Sequence, residues 1–145
     1  MKLLIINGPS LNLIGFREVE VYGKKTYLDL VSFVKDIGKE NKVKIKMVQT
    51  NSEGEIIDLL QDALLKDFDG IILNAGAYTH YSYAIRDAVV AIKMDVVEVH
   101  LSDINNREDF RKISVLKDVC KETFMGKGFE SYKEAIIYFV AKNRM

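Results

Sequence analysis

"GIILNAGAYTHYSYAIRDA", residues 70–88, decides how the chain folds. Gly70-Ile71-Ile72-Leu73 is a short, unbroken apolar run, the pattern of a strand covered on both faces. After it, Tyr81, Ile85, Ala88 and then Ile92 recur at helical spacing, which predicts a helix starting near Thr79 or His80. A buried strand feeding an amphipathic helix is half of a crossover unit, and the rest of the chain repeats it.

Upstream, Leu3-Leu4-Ile5-Ile6 reads as a buried first strand. Thr26 is placed to cap a helix through Tyr27, Leu30, Val31, Val34 and Ile37, ending near Gly38 or Asn41. A second strand covers Val43 to Val48. Ser52 or Asn51 then caps a helix with Glu53 and Glu55 in its first turn and Ile56, Leu59, Leu60, Ala63 and Leu64 on one face. Downstream, Val96 to Leu101 is strand four, and a short strand lies around Thr123 to Met125. Ser131-x-x-Glu134 reads as a capping box for a last helix packed through Tyr132, Ala135, Ile136, Phe139 and Val140. The class is α/β: a three-layer sandwich with a five-stranded parallel sheet in the flavodoxin-like order 2-1-3-4-5. Ligands in such sheets bind outside the carboxyl ends of the strands.

The 145 residues suit one domain, 1–145. Lys+Arg and Asp+Glu are 21 each, so no basic excess points to nucleic acid or an anionic membrane. A single cysteine, Cys120, allows no intrachain disulfide and no paired-cysteine metal site, and reads as a core filler in a reducing compartment. No targeting segment or membrane-length apolar run is legible, so a soluble cytoplasmic protein is expected.

Three strand ends carry the polar chemistry. Strand one runs into "NGPSLNLIGFREVEVYG", residues 7–23, which holds Asn7, Ser10, Asn12, Arg17 and Tyr22. A loop of this length reads either as a solvated connection or as a lid over a ligand, here residues 15–23 between two glycines. It is not a nucleotide loop: Glu18 stands where a Walker A glycine belongs, and no GxGxxG occurs. Strand three delivers Asn74, then Gly76 and Ala77, which let a backbone approach, and a helix start that favours negative charge. His80 and Asp87, seven apart, are expected on one helix edge facing a pocket or a partner, although a lone histidine there is also an ordinary cap. Strand four ends in "VEVHLSDINNREDFRKIS", residues 97–114. Alternation puts Glu98 and His100 on the same sheet face, where the carboxylate can fix the imidazole tautomer. Ser102, Arg107 and Arg111 follow; arginines at a strand end suit a carboxylate or phosphate, or simply face water. The convergence of an amide, two imidazoles, hydroxyls and arginines, without metal-ligand spacing, describes a pocket for a small polyhydroxylated acid.

These residues form a recognisable set. "NGPSLNLIGFRE", "VQTNSEGEIID", "LNAGAYTHYSYAIRDA", "EVHLSDINNREDFRKIS" and "GKGFESY", in that order, resemble type II 3-dehydroquinate dehydratase across nearly the whole chain. The resemblance implies a lyase that converts 3-dehydroquinate to 3-dehydroshikimate through an enolate, with no cofactor or metal, in a homo-oligomer of trimers gathered into a dodecamer. It implies Tyr22 as the base, Arg17 as its partner, and His100 as the proton donor held by Glu98. It also implies Asn74, His80, Ser102 with the Leu101 backbone, and Arg111 as substrate ligands, with Asp87 reaching a neighbouring subunit's site. Ser10 departs from the family's usual asparagine, which helps stabilise the enolate oxygen, and one missing oxyanion donor costs ~10² to 10³ in rate. Asn12 or a water is the expected substitute. Val19 replaces a common proline and Asp103 a common asparagine. A pocket kept only to sense a cyclic acid is the alternative, with Ser10 its one support.

Overall fold

In a computed structural model, residues 1–16 and 24–145 are described. Five strands, β1 (Lys2–Asn7), β2 (Lys44–Gln49), β3 (Gly70–Asn74), β4 (Val96–His100) and β5 (Glu122–Met125), form one sheet. Its order is β2-β1-β3-β4-β5, and every neighbouring pair is parallel. The connections contain helices α1 (Tyr27–Glu40), α2 (Glu53–Leu65), α3 (Tyr83–Ile92) and α4 (Phe129–Asn143). This is the expected class and strand order.

Strand alternation sorts the core into two layers. Leu3, Ile5, Ile72, Val97 and Val99 face Leu30, Val34 and Ile37 of α1 and Tyr132, Ile136 and Phe139 of α4. On the other side Leu4, Ile6, Ile71, Leu73 and Val96 meet Ile56 and Leu60 of α2 and Ile85, Val89 and Ile92 of α3. Burying each Leu, Ile or Val contributes roughly 1.5–3 kcal/mol, so both helix layers are held chiefly by these stripes. Asn7 and Asn74 are partners in the β1–β3 register. Following Ile5 and Ile72, they must point toward α1 and α4, whereas Glu98 and His100 follow Val96 toward the other layer.

Local chemistry sets the helix starts. Thr26 Oγ1 accepts from the Asp29 N–H while the Asp29 carboxylate accepts from the Thr26 N–H, a reciprocal cap. Ser52 caps α2 by accepting from the Glu55 N–H. Two expected starts are wrong. Residues Gly76–His80 make a 3₁₀ turn, and α3 begins at Tyr83 with Ser82 as its cap. The Ser82 hydroxyl accepts from the Ile85 N–H and donates to Glu53. His80 and Asp87 therefore do not share a helix edge, no α-helix N-terminus stands at residue 79 or 80, and Tyr81 is exposed rather than buried. Similarly, Ser131 is no N-cap: α4 starts two residues earlier, after Gly128 at φ 57°. That conformation turns the chain straight from β5 into the helix, and Ser131 Oγ accepts from the Lys127 N–H. Among the described residues, no helix is long and apolar enough to cross a membrane.

Candidate active site

The carboxyl ends of β1, β3 and β4 enclose a cavity of about 230 Å³. Ser10, Asn74, His80, His100, Leu101, Ser102 and Arg111 all line it, together with Arg107. A larger hollow of about 760 Å³ shares Leu101, Ser102 and Arg107, but its described lining has neither histidine nor Asn74. Both histidines and Asn74 therefore lie on the smaller cavity.

Tight backbone packing shapes its floor. A Cβ on Gly8 would lie 2.6 Å from the Ala75 carbonyl oxygen, so only glycine lets the two strand ends meet there. The Gly8 N–H donates to the Asn74 carbonyl at 2.8 Å.

His100 is buried, and its Nε2 lies 2.6 Å from Glu98 Oε2. A carboxylate can only accept, so Nε2 carries a proton and Nδ1 is left to the cavity. Glu98 is fully buried yet well supplied with donors. Thr79 and Ser114 each donate to Oε2 at 2.7 Å, and Thr123 donates to Oε1 at 3.3 Å. Burial alone would push the Glu98 carboxyl up, but the His100 contact and the Ser114 and Thr79 hydroxyls outweigh it and hold it below the ordinary carboxylate range. Because the folded value is depressed, the associated stability is present above the ordinary carboxylate pKa. It is lost as pH falls through the folded one.

His80 Nδ1 lies 2.8 Å from the Ile113 carbonyl and must donate to it. Desolvation lowers the pKa of His80, opposed by that hydrogen bond and aided by His100, Arg111 and Arg107. A neutral ring with Nδ1 protonated offers its Nε2 lone pair to a hydroxyl. Arg107 Nη1 donates to Ser102 Oγ at 3.2 Å. Arg111, half-buried, lies over the Phe110 ring, with Nε 2.7 Å from Glu108 Oε2. Its Nε–H is not aligned on that oxygen, so the contact is ionic rather than a formed hydrogen bond. Two guanidiniums and a neutral imidazole around hydroxyl and amide donors favour a small anion carrying hydroxyls.

Ser10 sits at φ 65°, a left-handed conformation unusual for serine, with its N–H donating to Asn51 Oδ1 at 3.0 Å. Asparagine adopts that conformation more readily, so Ser10→Asn is expected to raise stability by up to about 1 kcal/mol, read as a higher melting temperature. An unchanged or lower value would show that the serine backbone is relaxed there. Asn12 is exposed and does not line the cavity, so it is not the substitute for Ser10. Asp103 Oδ1 caps the following turn by accepting from the Asn105 N–H.

Asp87 is exposed on α3 and does not line this chain's cavity. Arg17, Val19 and Tyr22, with most of the expected 15–23 lid, lie outside the described residues. Sequence reading missed Thr79, Ser114 and Thr123 as the donors around Glu98. The first two stand inside the quoted motifs, but their convergence on one carboxylate needs three dimensions. Cys120, half-buried, has its thiol pushed up to about 12 by burial, as suits a core filler. Among the described residues no three His, Cys, Asp or Glu side chains cluster as a metal site would.

Comparison with known proteins adds a consistent set of likenesses. A family profile described as "Dehydroquinase class II" matches residues 1–140. The 3-dehydroquinate dehydratase of Clostridium beijerinckii is 51% identical over 136 residues, covering 94% of this chain and 93% of that one. That of Thermotoga neapolitana is 50% identical over 138 residues, covering 95% and 93%. The crystal structure of type II dehydroquinase from Butyrivibrio crossotus superposes with a TM-score of 0.94 at 45% identity, covering 95% of this chain and 96% of that one.

Proposed function

This chain belongs to the class II dehydroquinase family, and from that premise we propose how its site dehydrates 3-dehydroquinate. The enzyme is a lyase of the shikimate pathway: it removes water from 3-dehydroquinate to leave 3-dehydroshikimate, a conjugated enone.

In the proposed mechanism, the Tyr22 phenolate takes a proton from the carbon beside the ketone. A phenol has a pKa of ~10, so the permanent charge of Arg17, five residues away in sequence, is what keeps Tyr22 ionised at neutral pH. The electron pair moves onto the ketone oxygen as an enolate, near Ser10. It then returns to form the ring double bond as the hydroxyl leaves with a proton from His100 Nδ1. Glu98 accepts from Nε2, so the ring that donates from Nδ1 is the imidazolium, and it is left neutral with Nε2 still protonated. Asn74, His80, Ser102 with the Leu101 backbone, and Arg111 bind the substrate's carboxylate and hydroxyls. The observation that carries this reading is the buried Glu98–His100 pair, 2.6 Å apart, with His100 lining the cavity that Asn74, His80 and Arg111 also line. The direct test is an ultraviolet assay for the conjugated enone; no turnover by correctly assembled protein would refute it.

The same proposal has the chain working in the cytoplasm, which an unpaired cysteine suits, as trimers assembled into a dodecamer. Asp87 would reach from α3 into a neighbour's site. Tyr83 and Val90 of the same helix are exposed at 67% and 57%, apolar surface that a neighbouring subunit could cover. Asp87→Ala is expected to weaken substrate binding without altering the chain's own fold. An active wild-type protein with the solution mass of one chain would contradict this assembly.

A further inference from the structure

Behind the cavity a buried polar chain links the two central strands to α4, and no step above uses it. Tyr132 is fully buried in the layer beneath Asn7 and Asn74. Its hydroxyl donates to Asn7 Oδ1 at 2.6 Å and accepts from Asn74 Nδ2 at 2.9 Å. Asn7 Nδ2 in turn lies 3.3 Å from the Tyr27 hydroxyl. The polarity of this chain is set at one end. The Gly76 N–H can only donate, and it reaches Asn74 Oδ1 at 3.2 Å. That forces Nδ2 toward Tyr132, so the phenol must accept there and send its proton to Asn7. The second Nδ2 proton of Asn74 is then left for an acceptor in the cavity that Asn74 lines.

We infer that Tyr132 is a positioning residue for substrate binding: together with the Gly76 N–H it holds the Asn74 carboxamide so that the second amino proton faces the ligand. An Asn74 amide rotated by half a turn loses both the Gly76 and the Tyr132 contacts and presents a carbonyl oxygen to a carboxylate or hydroxyl oxygen, which repels it; without the phenol only the Gly76 N–H opposes that turn. A phenol suits this task because one proton and two lone pairs let it accept from Asn74 while donating elsewhere, and its ring is locked in the core. The inference rests on the reading of Asn74 as a substrate ligand.

The contact to Asn74 is made equally in the bound and transition states, since the group it holds does not react; its loss therefore belongs in KM. In steady-state assays well below the melting temperature, Tyr132→Phe is expected to raise KM about fivefold to tenfold with kcat within about twofold of wild type. Asn74→Ala should raise KM at least as much. In the Asn74→Ala background, Tyr132→Phe should add nothing to KM, because the route through Asn74 is gone. A Tyr132→Phe enzyme with a lower melting temperature but unchanged KM would show a merely structural phenol and overturn the inference. So would KM effects that add in the double variant. If Asn74→Ala leaves KM unchanged, Asn74 is not a ligand and the inference falls with that reading. Should Tyr132→Phe not fold, Asn7→Ala removes the acceptor of the phenol's proton. It is expected to raise KM in the Asn74 background-dependent way just described, and no rise would equally overturn the inference.

Discussion

His100→Ala is expected to lower kcat by roughly 10²- to 10⁴-fold, the span that a positioned general acid supplies. Removing the ring takes away the proton donor for the departing hydroxyl, while Asn74, His80, Ser102 and Arg111 still line the cavity. KM should therefore change far less than kcat. Glu98→Gln separates the acid from its holder. A neutral amide can still accept from His100 Nε2, but its hydrogen bond is no longer charge-assisted, and it is a poorer acceptor for the Thr79 and Ser114 hydroxyls now aimed at Oε2. Its kcat should fall less than that of His100→Ala, and its stability should lose the decline at low pH that a depressed carboxyl causes. Turnover of His100→Ala within tenfold of wild type, followed by enone absorbance, would remove His100 from the acid role.

Tyr22→Phe is expected to abolish measurable turnover, because phenylalanine has no group to take the proton from carbon. Substrate binding, measured by calorimetry with no reaction to complicate it, should persist, since the proposed ligands are untouched. The pH profile provides a second reading. The rising limb of kcat/KM reports the base in the free enzyme. If a neighbouring guanidinium holds Tyr22 ionised, Arg17→Ala should move that limb upward toward ~10, the ordinary phenol value. Retained activity in Tyr22→Phe, or an unmoved limb in Arg17→Ala, would assign the base elsewhere.

The errors in reading the sequence have a common origin. Helical spacing of Tyr81, Ile85 and Ala88 suggests a helix from residue 79 or 80, but the 3₁₀ turn ends at His80 and Ser82 caps α3 instead. The hydroxyl wins because it satisfies a helix N–H and reaches Glu53 as well, a contact that exists only once α2 is packed alongside. Ser131-x-x-Glu134 has the spacing of a capping box, yet Gly128 starts the helix earlier and Lys127 draws Glu134 into an ion pair at 2.6 Å. In each case a local signature was correct in residue type and wrong in partner.

Periodicity was sufficient for the strands and most of the four helix stripes, with Tyr81 and Leu64 exposed instead of buried, because an apolar face buried at a fixed period is a property of neighbours in sequence. Alternation likewise placed Glu98 beside His100, two residues apart on one strand. What the tertiary structure alone decided is which distant donors complete the site: Thr79, Ser114 and Thr123 around one carboxylate, Ile113 at His80, and Tyr132 between two asparagines 67 positions apart in the chain. Hydrogen bonds are short and directional, so they depend on where folded strands bring their ends. No repeat along the sequence encodes that.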